Sequence, residues 1–149
     1  MIERTFVMIK PDAVVRGLMG EIISRIEKKG LKIVAMKLHH LTEEEAKELY
    51  KPHEGKHFFN DLIEFVRSAP VVLMAVEGES AISVMRRLLG STDAKEAAPG
   101  TIRGDLSCSK SMNLVHASDS PESASRELAI FFKEGDYLKY RRVDENWVY

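Results

Sequence analysis

Four short apolar runs, separated by stretches whose apolar residues recur at helical spacing, confine this chain to a sheet covered by helices. "TFVMIK" (5–10), "LKIVAMKL" (31–38), "PVVLMAV" (70–76) and "NLVH" (113–116) read as strands. Pro11 stops the first of them, and Pro70 stands where a strand tolerates proline. Leu18, Ile22, Ile23 and Ile26 place a helix from Leu18 to Lys29, closed by Gly30. Thr42 and Glu45 form a capping box, so a helix opens near 43 and ends before Pro52. "FFNDLIEFV" (58–66) is a further helix, and another runs from a cap at Ser80 to Leu89 and stops at Gly90. Ser120-Pro121-Glu122 is a helix start, with proline at the first helical position and an acid behind it. The pattern predicts an α/β sandwich and one domain over residues 1–149. It does not decide between parallel and antiparallel strands.

Charge narrows the partners. With 22 basic and 23 acidic residues the net charge is −1, so the chain has no global field for nucleic acid or an anionic membrane. An anion site must therefore be a local cluster. The single cysteine, Cys108, allows no internal disulfide and suits a reducing compartment. "MIERTFVMIKPD" has no apolar stretch of signal type, and "VVLMAV" is far too short to span a bilayer. The expected location is cytoplasmic.

Chemistry concentrates in the loops and strand ends. The stretch 91–112 has weak periodicity, and long irregular loops in compact domains are usually functional. Lys10 ends the first strand, Arg86 lies late in a helix, Thr92 opens the long loop and Arg103 sits in "PGTIRGD". Brought together, these form a phosphate cradle, since the planar arginine fork donates in pairs to phosphate oxygens. The chain has neither GxxxxGK[ST] nor GxGxxG, so the cradle is not a P-loop. His116, at a strand end among small polar residues, supplies a nucleophile. A neutral imidazole near physiological pH attacks a phosphoryl group and divides its transfer into two steps. Ala117 and Ser118 leave room for that group, and Glu127 is placed to orient the ring. Singly, each residue has a plain structural use, such as a surface charge, a helix cap at Asp119 and Ser120, or a loop arginine. Their conjunction points to phosphoryl transfer.

The segments "ERTFVMIKPD" (3–12), "RGLMGEII" (16–23), "PGTIRGD" (99–105), "NLVHASDS" (113–120) and "NWVY" (146–149) occur in the order found in the nucleoside diphosphate kinases. The chain resembles that family from Glu3 to Tyr149. The resemblance implies a ferredoxin-like α/β sandwich with a four-stranded antiparallel sheet and helices packed over it. It implies ping-pong transfer of the terminal phosphoryl of a nucleoside triphosphate to a diphosphate, through a phosphohistidine at His116. It implies that Lys10 contacts phosphate and sugar, that Arg86, Thr92 and Arg103 bind phosphate, and that Asn113 reaches the ribose. Phe58, in a helical lid, would stack on the base, with Tyr50, Ser118 and Glu127 around the histidine. Mg²⁺ would be held chiefly by nucleotide phosphates, with Asp119 helping indirectly. Through the resemblance, Pro99 and the long tail imply a homohexamer, and "ENWVY", apolar at the end of the chain, is expected to dock on a neighbouring subunit. Two positions depart from the family pattern: Ala117 replaces the commoner glycine, and Lys110 stands where an aliphatic residue often closes over the base. Stacking without edge-reading groups implies broad base specificity. The alternative is a regulatory protein that binds nucleotide or nucleic acid without turnover.

Overall fold

The computed structural model describes residues 2–149. Its strands are β1 (Ile2–Ile9), β2 (Lys32–His39), β3 (Val71–Glu79) and β4 (Val115–Ala117). They form one sheet in the order β2-β3-β1-β4, with every pairing antiparallel. This settles the orientation the periodicity left open, and the order is that of a ferredoxin-like fold, as expected.

The helices are α1 (Pro11–Val15), α2 (Met19–Lys28), α3 (Glu43–Leu49), α4 (Phe59–Val66), α5 (Ala81–Leu89), α6 (Ile102–Leu106), α7 (Pro121–Phe131) and α8 (Glu145–Val148). They cover both faces of the sheet. Side chains alternate along a strand, so Phe6 and Met8 of β1 enter one core while Val7 and Ile9 enter the other. The first core is closed by α3, α4 and α7 through Ala46, Leu49, Ile63, Val66, Leu128 and Phe131. The second is closed by α1, α2, α5 and α6 through Ala13, Ile22, Ile26, Met85, Leu89 and Ile102. A bulge between Ile33 and Ala35 sets Val34 and Ala35, consecutive in sequence, into the same core.

Most helix ends follow their local signals. Thr42 and Glu45 make the reciprocal capping box, and Ser120 Oγ accepts from the Ser123 amide above Pro121. Three readings are corrected. Ser80 stands before α5 but at φ 52, and its side chain makes no cap. Glu3 Oε1 from β1 accepts the Ile82 amide in its place. Strand β4 begins at Val115 rather than Asn113, because Leu114 takes φ 77 and leaves the extended region. The stretch 91–112 contains α6 and a 3₁₀ turn, Ala94–Glu96, and Gly104 is required there because a Cβ would lie 1.9 Å from the Ala98 carbonyl oxygen.

The C-terminal segment returns to its own chain. Arg142 donates to the carbonyls of Glu27 and Leu31, Tyr149 Oη accepts the Glu79 amide, and Val148 covers Gly30. Of the closing aromatics Trp147 is the most exposed, at 89%, while Tyr149 is 58% exposed.

Phe6 links the first core to what lies above it. Its ring stacks on Phe131 of α7 at 5.3 Å and tilts against the His116 ring at 5.9 Å. It is wholly buried, so F6A lowers unfolding free energy by about 3–5 kcal/mol, read as the urea midpoint at unchanged slope. It also weakens the support beneath His116.

Candidate active site

Register puts the histidine where it is. His116 pairs with Met8 across β1 and β4, so its ring faces the first core, while Val115 and Ala117 enter the second. The ring lies edge-on to Tyr50 at 5.8 Å. Its Nε2 is 2.8 Å from Glu127 Oε1, and the same oxygen accepts from Ser118 Oγ at 2.6 Å. Burial pushes the Glu127 carboxyl up, but the bonds from His116 and Ser118 and the charge of Arg126 outweigh it and hold the group below its ordinary value. Glu127 is therefore an ionised acceptor, and it selects the tautomer with the proton on Nε2 and the lone pair on Nδ1.

Three cations gather beside this pair. Lys10 Nζ donates to Asn113 Oδ1 at 2.9 Å and to the Ser111 carbonyl at 3.0 Å. Arg103 uses its whole fork on the main chain, through Nε to Asn113, Nη1 to Gly90 and Nη2 to Val115. Arg86 Nη1 donates to the Ala117 carbonyl at 3.2 Å. Among the described residues none of the three lies within ion-pair distance of a carboxylate. Burial brings Lys10 down to about 8, with Asp12 opposing and the Arg103 charge adding to the fall. Burial and the neighbouring Arg86 bring Arg103 down to about 10. Crowded, unpaired cations are what an anion of several charges relieves.

The remaining expected residues fall around this centre. Asn113 Nδ2 donates to the carbonyls of Thr92 and Lys110, tying the mouth of the long loop to β4. Thr92 and Asp119 are exposed at the rim. Phe58 caps α4 and is 38% exposed, with the rings of His53 and His57 each 5.5 Å away. Burial holds the Tyr50 hydroxyl well above its ordinary range. Among the described residues no three His, Cys, Asp or Glu side chains are grouped to hold a metal.

Sequence reasoning missed three contributors. Asp12 Oδ2 accepts the Leu114 amide at 3.1 Å and stabilises the left-handed residue two before His116. His53 stands between Tyr50 and Phe58, and burial, Lys56 and His116 lower its imidazole pKa. Arg126 reaches Glu127 Oε2 at 3.4 Å. Neighbouring sequence flags none of them, apart from the Asp12 that follows Lys10-Pro11.

Comparison with known proteins agrees with this geometry. The family profile described as nucleoside diphosphate kinase matches residues 3–137. The chain belongs to the nucleoside diphosphate kinase family. It is accordingly an enzyme, a nucleotide-binding kinase. The nucleoside diphosphate kinase of Ignicoccus hospitalis is 61% identical over 137 residues, which is 92% of this chain and 93% of that protein. The Archaeoglobus fulgidus nucleoside diphosphate kinase is 53% identical over 147 residues, 99% of this chain and 97% of that one. Among solved structures, a halophilic nucleoside diphosphate kinase from Halobacterium salinarum in complex with CDP superposes with a TM-score of 0.96. It is 47% identical and covers 100% of this chain and 99% of its own. The Borrelia burgdorferi nucleoside-diphosphate kinase, a transition-state mimic with vanadate and ADP, gives 0.91 at 39% identity, with 97% and 95% covered.

The Lys10 value makes nucleoside diphosphate kinase stability and nucleotide affinity move in opposite directions with pH. The folded-state pKa, about 8, lies below the ordinary 10.5. Between the two the unfolded chain binds more protons, so this group makes stability rise with pH. Over the same climb through about 8 the ammonium is lost, and affinity of the free enzyme for nucleotide falls. Urea titrations and nucleotide binding measured from pH 7 to 10 check both trends, and K10M flattens both.

Proposed function

We propose that this kinase works by a ping-pong mechanism in which His116 Nδ1 is the nucleophile. The observation that carries the reading is the Nε2–Glu127 hydrogen bond, which leaves Nδ1 as the ring nitrogen with a free lone pair. In the first half-reaction the Nδ1–P bond forms as the bond from the terminal phosphorus to its bridging oxygen breaks. The electron pair leaves with the nucleoside diphosphate. In the second, a terminal oxygen of another diphosphate attacks the phosphorus and the Nδ1–P bond breaks. The Nε2 proton stays in place throughout, held by Glu127, which stabilises the positive charge the ring acquires as it is phosphorylated. Catalysis is then positioning and charge neutralisation.

The roles of the other residues follow from their places. Lys10, Arg86, Thr92 and Arg103 line the phosphate path, and Lys10 with Asn113 meets the ribose. Phe58 offers its half-exposed ring to the base, while Tyr50 and Ser118 pack around the histidine. The ring stacks on any base, and what is read by hydrogen bonds is common to all nucleotides, so base specificity is broad. The donor set fits Mg²⁺ carried on the phosphates, with exposed Asp119 near its waters; the ion, when bound, neutralises phosphate charge. We also propose that residues 1–149 act as one domain, in the cytoplasm, as a homohexamer. No helix among the described residues is long and apolar enough to cross a membrane. Assembly is supported by apolar side chains left outside, Met36 and Leu38 on β2 and Trp147 in the tail.

Incubation with γ-labelled ATP and Mg²⁺ without acceptor leaves label on the wild-type chain, acid-labile and alkali-stable, and a second diphosphate discharges it. H116A takes up none. Label on H116A, or none on the wild type, overturns the mechanism. Specificity constants for ADP, GDP, CDP and UDP as acceptors fall within about a hundredfold of each other, short of the discrimination a dedicated hydrogen-bonding pocket reaches. F58A weakens all four, while K110V changes them only modestly.

A further inference from the structure

The two oxygens of Glu127 have different partners. Oε1 is shared by His116 and Ser118. Oε2 receives Arg126 Nη2 at 3.4 Å, and the same guanidinium donates through Nη1 to the Glu48 carbonyl at 2.8 Å and through Nη2 to the Leu49 carbonyl at 3.3 Å. Those carbonyls close α3, where main-chain acceptors lack intrahelical donors and the helix dipole is negative. Tyr50, facing His116, follows them directly, and the 3₁₀ turn Lys51–His53 carries the chain on toward the lid. One planar fork thus spans the root of the lid and the far oxygen of a carboxylate whose side chain is only 6% exposed.

Glu127 needs that second partner. Held by Oε1 alone, the carboxylate is free to rotate about its last bond, and Oε2 would be left nearly buried without a donor. Rotation carries Oε1 away from Nε2, and the choice of imidazole tautomer goes with it. Lysine cannot replace the fork, because a single ammonium reaches the α3 carbonyls or Glu127 but does not span both.

We propose that Arg126 is a positioning residue for phosphoryl transfer, anchored on the carbonyls that end α3 and holding Glu127 Oε2 so that Oε1 stays on His116 Nε2. The proposal rests on His116 as the nucleophile. An unlabelled wild-type chain would overturn that reading, while the imidazole spectrum still tests the Arg126 contact.

The test compares wild type, R126M and R126K by single-turnover phosphorylation, nucleotide binding, melting temperature and ¹⁵N NMR of the His116 ring. In R126M phosphorylation slows by about tenfold to a hundredfold, the scale of a misplacement near 1 Å. Its nucleotide affinity stays within about twofold, and the ring resonances move from a pure Nε2–H tautomer toward a mixture. R126K lies between the two. An undiminished rate in R126M, a rate loss matched by lost affinity, or a slowed enzyme with an unchanged ring spectrum overturns the proposal. If R126M does not fold, R126K decides alone. A slower rate at wild-type melting temperature upholds the proposal, and a wild-type rate overturns it.

Discussion

The hydrogen bond from His116 to Glu127 is the contact on which the site depends. A carboxylate this deeply placed is costly to bury unless its charge is met. Here it is met by a ring nitrogen, a serine hydroxyl and a guanidinium. That requirement fixes how α7 lies across β1 and β4, since Glu127 must reach His116 while Phe131, one turn on, stacks on Phe6. The His116 tautomer and the packing of the first core are therefore set by the same helix placement.

The cations obey a complementary logic. Arg103 spends its donors on three carbonyls of the site's own framework, so in the free protein it fastens the long loop to β4 as well as adding charge. Lys10 likewise holds Asn113 and Ser111. Groups read as phosphate ligands are thus already immobile before phosphate arrives, and binding loses little side-chain entropy. The cost lies first in burying the cations and then in holding like charges together, and both lower the values of Lys10 and Arg103.

Much of this was legible in the chain because the signals were local. Thr42 with Glu45, Ser120 with Pro121, and Gly30 mark element ends through contacts spanning a few residues, and these ends lie where the sequence puts them. His116 and Glu127 were legible because one strand-to-helix turn separates them. What the sequence concealed is long-range. Leu114 is a residue type that avoids positive φ, and it is held there by a carboxylate 102 positions away. That contact displaced the start of β4 by two residues. Ser80 reads as a cap, yet the acceptor comes from Glu3, 79 positions from the amide it receives. Arg126 beside Glu127 looks like an ordinary surface pair, because neighbours on a helix do not face each other. Only the return of α3 against α7 gives it a purpose.

Helices on both faces of the sheet have a consequence for how the sequence can drift. Along β1, Phe6 and Met8 answer to α3, α4 and α7, while Val7 and Ile9 answer to α1, α2, α5 and α6. Adjacent residues thus belong to separate packing problems, joined only through the main chain. Compensating substitutions among homologues should fall into two sets that do not correlate across the sheet. The set containing Phe6 is tethered to the histidine and has little freedom. The set containing Val7 and Ile9 also seats α5 and α6, which carry Arg86 and Arg103, so its freedom to be retuned for temperature or salt lies in α2, on the side away from the site.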